Sequence, residues 1–215
     1  MLVQNRSQIF LSEQSVWSNS NGATRRTVMK QAQLCENLLN VEEIVLEENA
    51  TTFLSFGGDT NIILLILYGE IKAHPFRKVV QSHEVLNFKI SENKTFKIEN
   101  VRQDAPANFL VFTFRSGPEH AHYLLENIHI GGKNNYFGMT QHLPYPNFIG
   151  IFDSRKEGFY QLSNTENSIF GMVLNGAFEF QNRLLHNRDA LVISDIELLE
   201  FESLSQDSLI IFFEI

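Results

Sequence analysis

The chain reads as an all-β protein made of two successive β-barrels related by an internal repeat. Phenylalanine is abundant at 19 residues and proline scarce at 5. Short apolar or alternating stretches recur between Gly, Asn, Asp and Ser turns, which is the pattern of strands rather than helices. The same order of strands also returns after about 107 residues, measured from Gly69 to Gly176. A repeat of that length is too long for a solenoid and indicates a duplicated β-domain.

In the first half, Thr51–Phe56 is a strand ending at Gly57-Gly58-Asp59, and Ile62–Tyr68 is apolar enough to be buried on both faces before a turn at Gly69. Val79-Val80, Val85–Phe88, the alternating Thr95–Glu99 and Phe109–Phe114 follow as strands. Met29–Leu39 is the best helical candidate. In the second half, Ser168–Leu174 is a strand and Asn175-Gly176 has type I′ hairpin chemistry, so Ala177–Gln181 is expected to pair back against it. Strands at Ala190–Ile193, Leu198–Phe201 and Leu209–Phe213 complete the copy. The expected division is an N-terminal barrel over 1–115, a connector over 116–147 packed on the barrels, and a C-terminal barrel over 148–215. Within the connector, Tyr123-Leu124-Leu125 and Ile128-His129-Ile130 are candidate strands. The aromatics Trp17, Tyr136, Phe137, Tyr145 and Phe148 fall in segments that read as irregular.

The formal charge of −8, with acidic pairs at Glu42-Glu43 and Glu47-Glu48 against the single basic pair Arg25-Arg26, disfavours nucleic acid as a partner. These charges read as a solvated surface. The longest apolar run, Ile62–Leu67, is far short of the roughly 20 residues a membrane helix needs, and the polar start has no signal-peptide core. A cytoplasmic protein without membrane contact is expected. The lone Cys35 fits a reducing compartment, and the adjacent Glu36 disfavours a thiolate, so it reads as a small buried apolar residue.

Three stretches carry a family resemblance: Glu157–Leu162, Phe170–Glu179 and Arg183–Leu191, joined at the N-terminus by Gln8–Gln14. They resemble the pirin family, the first three its C-terminal cupin. The resemblance implies a bicupin, two tandem jelly-roll-like cupin barrels. It also implies one iron in the N-terminal barrel, held by a His-x-His pair and a downstream Glu or His; some members are quercetin dioxygenases or transcriptional coregulators. Aligned on Tyr68-Gly69-Glu70, the family's ligand positions fall at Ser55, Gly57 and Asn61, with the last in Ser91–Phe96, which contains no histidine. Two residues apart on a strand is the right spacing to share a metal, but Ser and Asn oxygens are weak neutral ligands and Gly57 has no side chain. No catalytic residue, cofactor or family-type metal is therefore expected, and a barrel without metal retains the capacity to enclose a small molecule.

The one His-x-His in the chain is His120-Ala121-His122, in the connector with Glu119, Glu126, His129 and His142 nearby. It is the alternative site for one divalent transition metal, iron or zinc, although solvated loop histidines explain it more simply, since local abundance of polar residues is what a loop shows anyway. His186 is alone in a turn, and His74 and His83 read as hairpin residues near a barrel mouth. Gly131-Gly132-Lys133 lacks the spacing of a phosphate loop, and no nucleophile elbow occurs. Three functions fit these residues. The first is a non-catalytic bicupin binding a small ligand in the N-terminal barrel or a protein partner. The second is a metal-dependent dioxygenase of quercetinase type with non-standard ligands. The third is a structural interaction protein, for instance a homodimer through an edge strand.

Overall fold

A computed structural model of the chain describes residues 5–74, 76–116 and 123–215. It divides into two units, one formed by Ser15–Gln31 and Glu36–Ile128, the other by the N-terminal residues to Gln14, Ala32–Cys35 and His129–Ile215. All strand pairs within them are antiparallel.

In chain order the first strands are β1 (Ser7–Phe10), β2 (Ser18–Ser20), β3 (Ala23–Lys30), β4 (Leu38–Leu46), β5 (Thr51–Phe56), β6 (Thr60–Tyr68) and β7 (Glu70–His74). Then come β8 (Lys78–Gln81), β9 (Glu84–Ile90), β10 (Lys94–Asn100), β11 (Ala107–Arg115), β12 (Tyr123–Asn127), β13 (Asn135–Gly138) and β14 (Asn147–Phe152). The last are β15 (Glu157–Gln161), β16 (Ile169–Asn175), β17 (Phe178–Phe180), β18 (Arg183–Leu185), β19 (Ala190–Ile193), β20 (Leu198–Ser203) and β21 (Ser208–Glu214).

The N-terminal unit has a seven-stranded sheet in the order β12-β9-β6-β11-β4-β3-β2 and a four-stranded sheet β5-β10-β7-β8. The C-terminal unit has a six-stranded sheet β1-β19-β16-β21-β14-β13 and a four-stranded sheet β15-β20-β17-β18. Apart from the extra edge strand β2, the two schemes correspond strand for strand, so the repeat seen in the sequence is a repeat of sheet topology. It extends to irregularities: where β11 and β21 pair back on β6 and β16, the partner strand carries one unpaired residue, Leu67 in one unit and Leu174 in the other.

Each unit borrows an outer strand. Beside β9 lies β12, from the connector, and in the equivalent place beside β19 lies β1, from the far N-terminus. Residues 7–10 are thus a strand of the C-terminal unit. Arg183 fastens them by donating to Ser7 Oγ at 2.8 Å and to Asn5 O at 2.9 Å. Residues 128–130 form no strand, while Tyr136, Phe137 and Phe148, expected in irregular segments, lie on β13 and β14.

Three local expectations are corrected. Met29–Leu39 is not helical, because β3 runs to Lys30 and Gln31 turns the chain with φ of 43°, a left-handed conformation no right-handed helix continues through. Asn175-Gly176 does not close a hairpin, because a type I′ turn needs positive φ at both residues and only Gly176 has it, at 83°. The dipeptide instead carries the chain from the six-stranded sheet to the four-stranded one, as Gly69 (φ 82°) does between β6 and β7. Finally, Arg26 and Glu43 are not solvated: they face each other across β3 and β4 as a buried ion pair, Nη2 to Oε2 at 2.8 Å. Asn108 donates to the other carboxylate oxygen at 3.0 Å, and Trp17 lies under the guanidinium at 5.4 Å. Burial of two charges is tolerated because each is bonded by several partners.

In the C-terminal unit the inward faces of both sheets fill the core with Phe152, Phe178, Phe180, Phe201 and Phe212. Glu214, wholly buried on β21, gathers the segment after β15. It accepts hydrogen bonds from Tyr160 Oη (2.5 Å), Ser163 N–H (3.0 Å) and Oγ (2.6 Å), Asn164 N–H (3.0 Å) and Asn167 Nδ2 (2.8 Å). Burial alone would raise this carboxyl, but the donors of Ser163, Tyr160 and Asn167 outweigh it and hold the pKa down to about 2. Burial and the same carboxylate push the Tyr160 phenol well above its ordinary range.

The corner glycine and the buried carboxylate each make this architecture testable. A Cβ on Gly69 would stand 2.7 Å from Ala107 Cα and 2.8 Å from Pro106 O, so Gly69→Ala is expected to cost about 2 to 4 kcal/mol in urea unfolding. Gly132→Ala, with nothing within 4 Å, is expected to stay within about 0.5 kcal/mol. The depressed pKa of Glu214 contributes stability that is fully present above the unfolded carboxyl's value of 4.5 and is lost as pH falls towards 2. Unfolding free energy should therefore decline by on the order of 3 kcal/mol from this group across that window. In Glu214→Gln that part of the decline should be missing, and an unchanged profile would contradict the assignment.

Candidate functional site

Alternation along β5 decides what the N-terminal barrel can bind. Leu54 and Phe56 point into the core, whereas Phe53 and Ser55 point out. Ser55 is thus on the outer face, its Oγ 2.8 Å from Thr95 Oγ1 on β10. Gly57 lies exposed beyond the end of β5. Asn61 is buried on β6, but on the face opposite Ile62, Leu64 and Ile66, which are the β6 residues of the barrel core; its Oδ1 has no hydrogen-bond partner. None of the three positions read from the sequence as ligand positions faces the barrel interior. In Ser91–Phe96, Asn93 caps a turn by accepting from Gly58 N–H at 2.9 Å, and Phe96 enters the core opposite Leu54.

The interior is hydrocarbon. Phe56, Phe88 and Phe96 meet with ring centroids 5.0 to 5.9 Å apart, and Phe76 stacks on Phe96 at 5.5 Å and 19°. Tyr123, from β12, closes on Phe76 at 4.7 Å. The cluster thus grades from a filled core to an exposed aromatic rim.

At that rim opens a cavity of about 600 Å³. Its apolar walls are Phe53, Phe76, Phe96 and Tyr123, and its polar groups are His74, Thr95, Lys94 and Lys97, with no carboxylate among the lining residues. Lys89 borders it too, but its Nζ is buried on the other face of β9, opposite Asn61. Strand register builds one side of it: Phe53 on β5, Lys97 on β10 and His74 on β7 stand directly opposite one another in a single row. His74 Nε2 lies 3.2 Å from Glu99 Oε2, a bond that holds the Glu99 carboxyl below its ordinary range. His74, read from the sequence as a residue near a barrel mouth, is there; His83 is exposed in the β8–β9 turn. Lys94, Lys97, Phe76 and Tyr123 were not read from the sequence as site residues, although the alternation Thr95-Phe96-Lys97 already places Lys97 on the face opposite Phe96.

A second hollow, about 490 Å³, lies along the other side of β5 and is lined by Arg25, Lys30, Glu42, Ser55 and Thr113. Arg25 spans it by donating to Thr52 Oγ1 and to Phe53 O, the latter at 2.9 Å. In the C-terminal unit a smaller hollow of about 330 Å³ is ringed by Glu157, Glu179, Glu200 and Glu202 around Phe159.

Glu119, His120 and His122 lie outside the described residues. Among the described residues, no three His, Cys, Asp or Glu side chains come together to hold a metal. His129, His142 and His186 are exposed and Cys35 is buried. Lys133 of the Gly131-Gly132-Lys133 run is engaged by Asp153 and Asp207. No helix of the described residues is long and apolar enough to cross a membrane.

Comparison with known proteins matches residues 147–215 to the family model of the quercetinase C-terminal cupin domain. Among solved structures, a bacterial pirin from Escherichia coli, YhhW, in complex with nickel(II), is 12% identical with a TM-score of 0.84, the match covering 98% of this chain and 99% of that one. GK1651 from Geobacillus kaustophilus is 13% identical, TM-score 0.77, over 100% and 97%. Quercetin 2,3-dioxygenase from Acinetobacter baumannii is 10% identical, TM-score 0.72, over 97% and 78%. No curated protein matches the sequence. At these identities the structural likeness speaks for the fold. Nickel(II) belongs to the E. coli protein; the N-terminal unit of this chain turns Leu54, Phe56, Phe96 and Ile98 inward, and hydrocarbon does not fit a divalent metal. The chain has the bicupin fold of the bacterial pirins, and its residues 147–215 match the family model of the quercetinase C-terminal cupin domain.

Proposed function

We propose that this chain is a small-ligand-binding bicupin that works without a metal in its N-terminal barrel, the ligand sitting at the barrel mouth. The observation that carries the reading is the pairing of a hydrocarbon-filled interior with a cavity of about 600 Å³ directly above it. That volume falls within the range of small-molecule sites, roughly 300 to 1,000 Å³, and the lining mixes apolar walls with a few polar groups as such sites do. Catalysis of the quercetinase type needs a metal held by imidazole and carboxylate, and the strand faces that could present them carry Leu and Phe.

Two measurements test this together. Elemental analysis of protein purified without chelator is expected to find iron, nickel, manganese and zinc well below one equivalent. Calorimetric titration with 2-naphthamide, a neutral two-ring probe, is expected to show saturable binding, weakened roughly three- to tenfold in Phe76→Ala and in Tyr123→Ala. Stoichiometric metal together with flavonol turnover would overturn the reading in favour of the dioxygenase. Absence of binding by this probe and by its carboxylate counterpart, 2-naphthoate, would leave only an interaction role.

A further inference from the structure

Resting on that reading, we infer that the mouth cavity selects a planar aromatic anion, with an aromatic carboxylate as the simplest form. The chain as a whole repels anions, at a formal charge of −8 with 25 acidic residues against 17 basic ones. The lining of this cavity departs from that balance, since the ammonium groups of Lys94 and Lys97 contribute to it and no Asp or Glu lines it. In a molecule of this composition a wall that bears two exposed lysines and is lined by no carboxylate is a local inversion of sign, and that inversion concentrates anions.

Geometry sets the ring and the charge side by side. Phe76 and Tyr123 form one wall, their rings 4.7 Å apart and inclined to each other by 33°, where a flat ligand gains offset or edge contacts. Across the opening, the row Phe53–Lys97–His74 crosses three strands in register, so a ligand ring lying against Phe53 has Lys97 one strand away. Lys94 and Lys97 are only loosely engaged by their neighbours. Lys94 Nζ is 3.4 Å from Glu92 and Lys97 Nζ 3.5 Å from Glu99, with both lysine side chains over two-fifths exposed. Ion pairs of that length and exposure are weak and exchange readily for a better acceptor. A neutral aromatic would use the walls and leave the lysines facing water; a cationic one would meet like charge.

The test compares 2-naphthoate with 2-naphthamide, which share shape and ring area and differ in charge, by calorimetry on the full chain at low and moderate salt. Wild-type protein is expected to bind the carboxylate about five- to tenfold more tightly at low salt, with the difference shrinking as salt rises. In the double variant Lys94→Met/Lys97→Met that preference should vanish while 2-naphthamide binding persists; since both residues are partly exposed on β10, an unchanged thermal unfolding midpoint will confirm an intact fold. Equal affinity for the two probes in the wild type overturns the charge selectivity and leaves small-ligand binding standing. Failure of both probes to bind overturns the small-ligand reading itself. A preference for the carboxylate that survives in the double variant overturns the assignment to these lysines.

Discussion

The alternation of side chains along β5 and β10 is the constraint on which the character of the N-terminal unit depends. Because successive residues of a strand face opposite sides, Leu54, Phe56, Phe96 and Ile98 are committed to the interior together. Their bulk is met by Phe88 from β9, and the resulting ring cluster fills the interior between the two sheets. The same commitment sends Phe53, Lys97 and His74 outward into one row. What the barrel loses as an interior site is thus the counterpart of what its mouth gains, and one register produces both.

The two units share their strand scheme and differ in what they do with it. In the C-terminal unit the interior is likewise aromatic, yet its buried carboxylate Glu214 is saturated by five donors and serves to anchor a loop. In the N-terminal unit the buried charges of Arg26 and Glu43 satisfy each other across β3 and β4. Both are structural uses of charge. The exposed, weakly paired Lys94 and Lys97 at the mouth are of another kind, since nothing in the fold requires them.

Much of this architecture was legible in the sequence because it depends on local pattern. The alternating and apolar runs located most strands, and Gly69 and Gly176 marked equivalent corners because close approach and positive φ leave no alternative to glycine. Reading Asn175-Gly176 as a hairpin failed because the dipeptide's chemistry also suits a chain leaving one sheet for another. The exchange of β1 and β12 was illegible, since pairing between Ser7 and Ile193 is a matter of tertiary closure that no local pattern records. The ligand positions show how sharply register matters. An offset of one residue separates outward Ser55 from inward Leu54 and Phe56, and alignment through a turn cannot fix a strand to that precision. The burial of Arg26 and Glu43 was hidden for a related reason, as each looks like an ordinary surface charge until its cross-strand partner is known.

The central claim is that the interior of the N-terminal barrel is a hydrophobic core rather than a metal centre. Nuclear magnetic resonance of the full chain with labelled Leu methyl and Phe ring groups, titrated with manganese(II), tests it directly. Paramagnetic broadening falls steeply with distance, so an ion among Leu54, Phe56 and Phe96 would erase their signals first. The account predicts that these signals persist past one equivalent of manganese, with any early broadening confined to surface carboxylates such as those around Phe159. Selective, stoichiometric loss of the Leu54, Phe56 and Phe96 signals would contradict it.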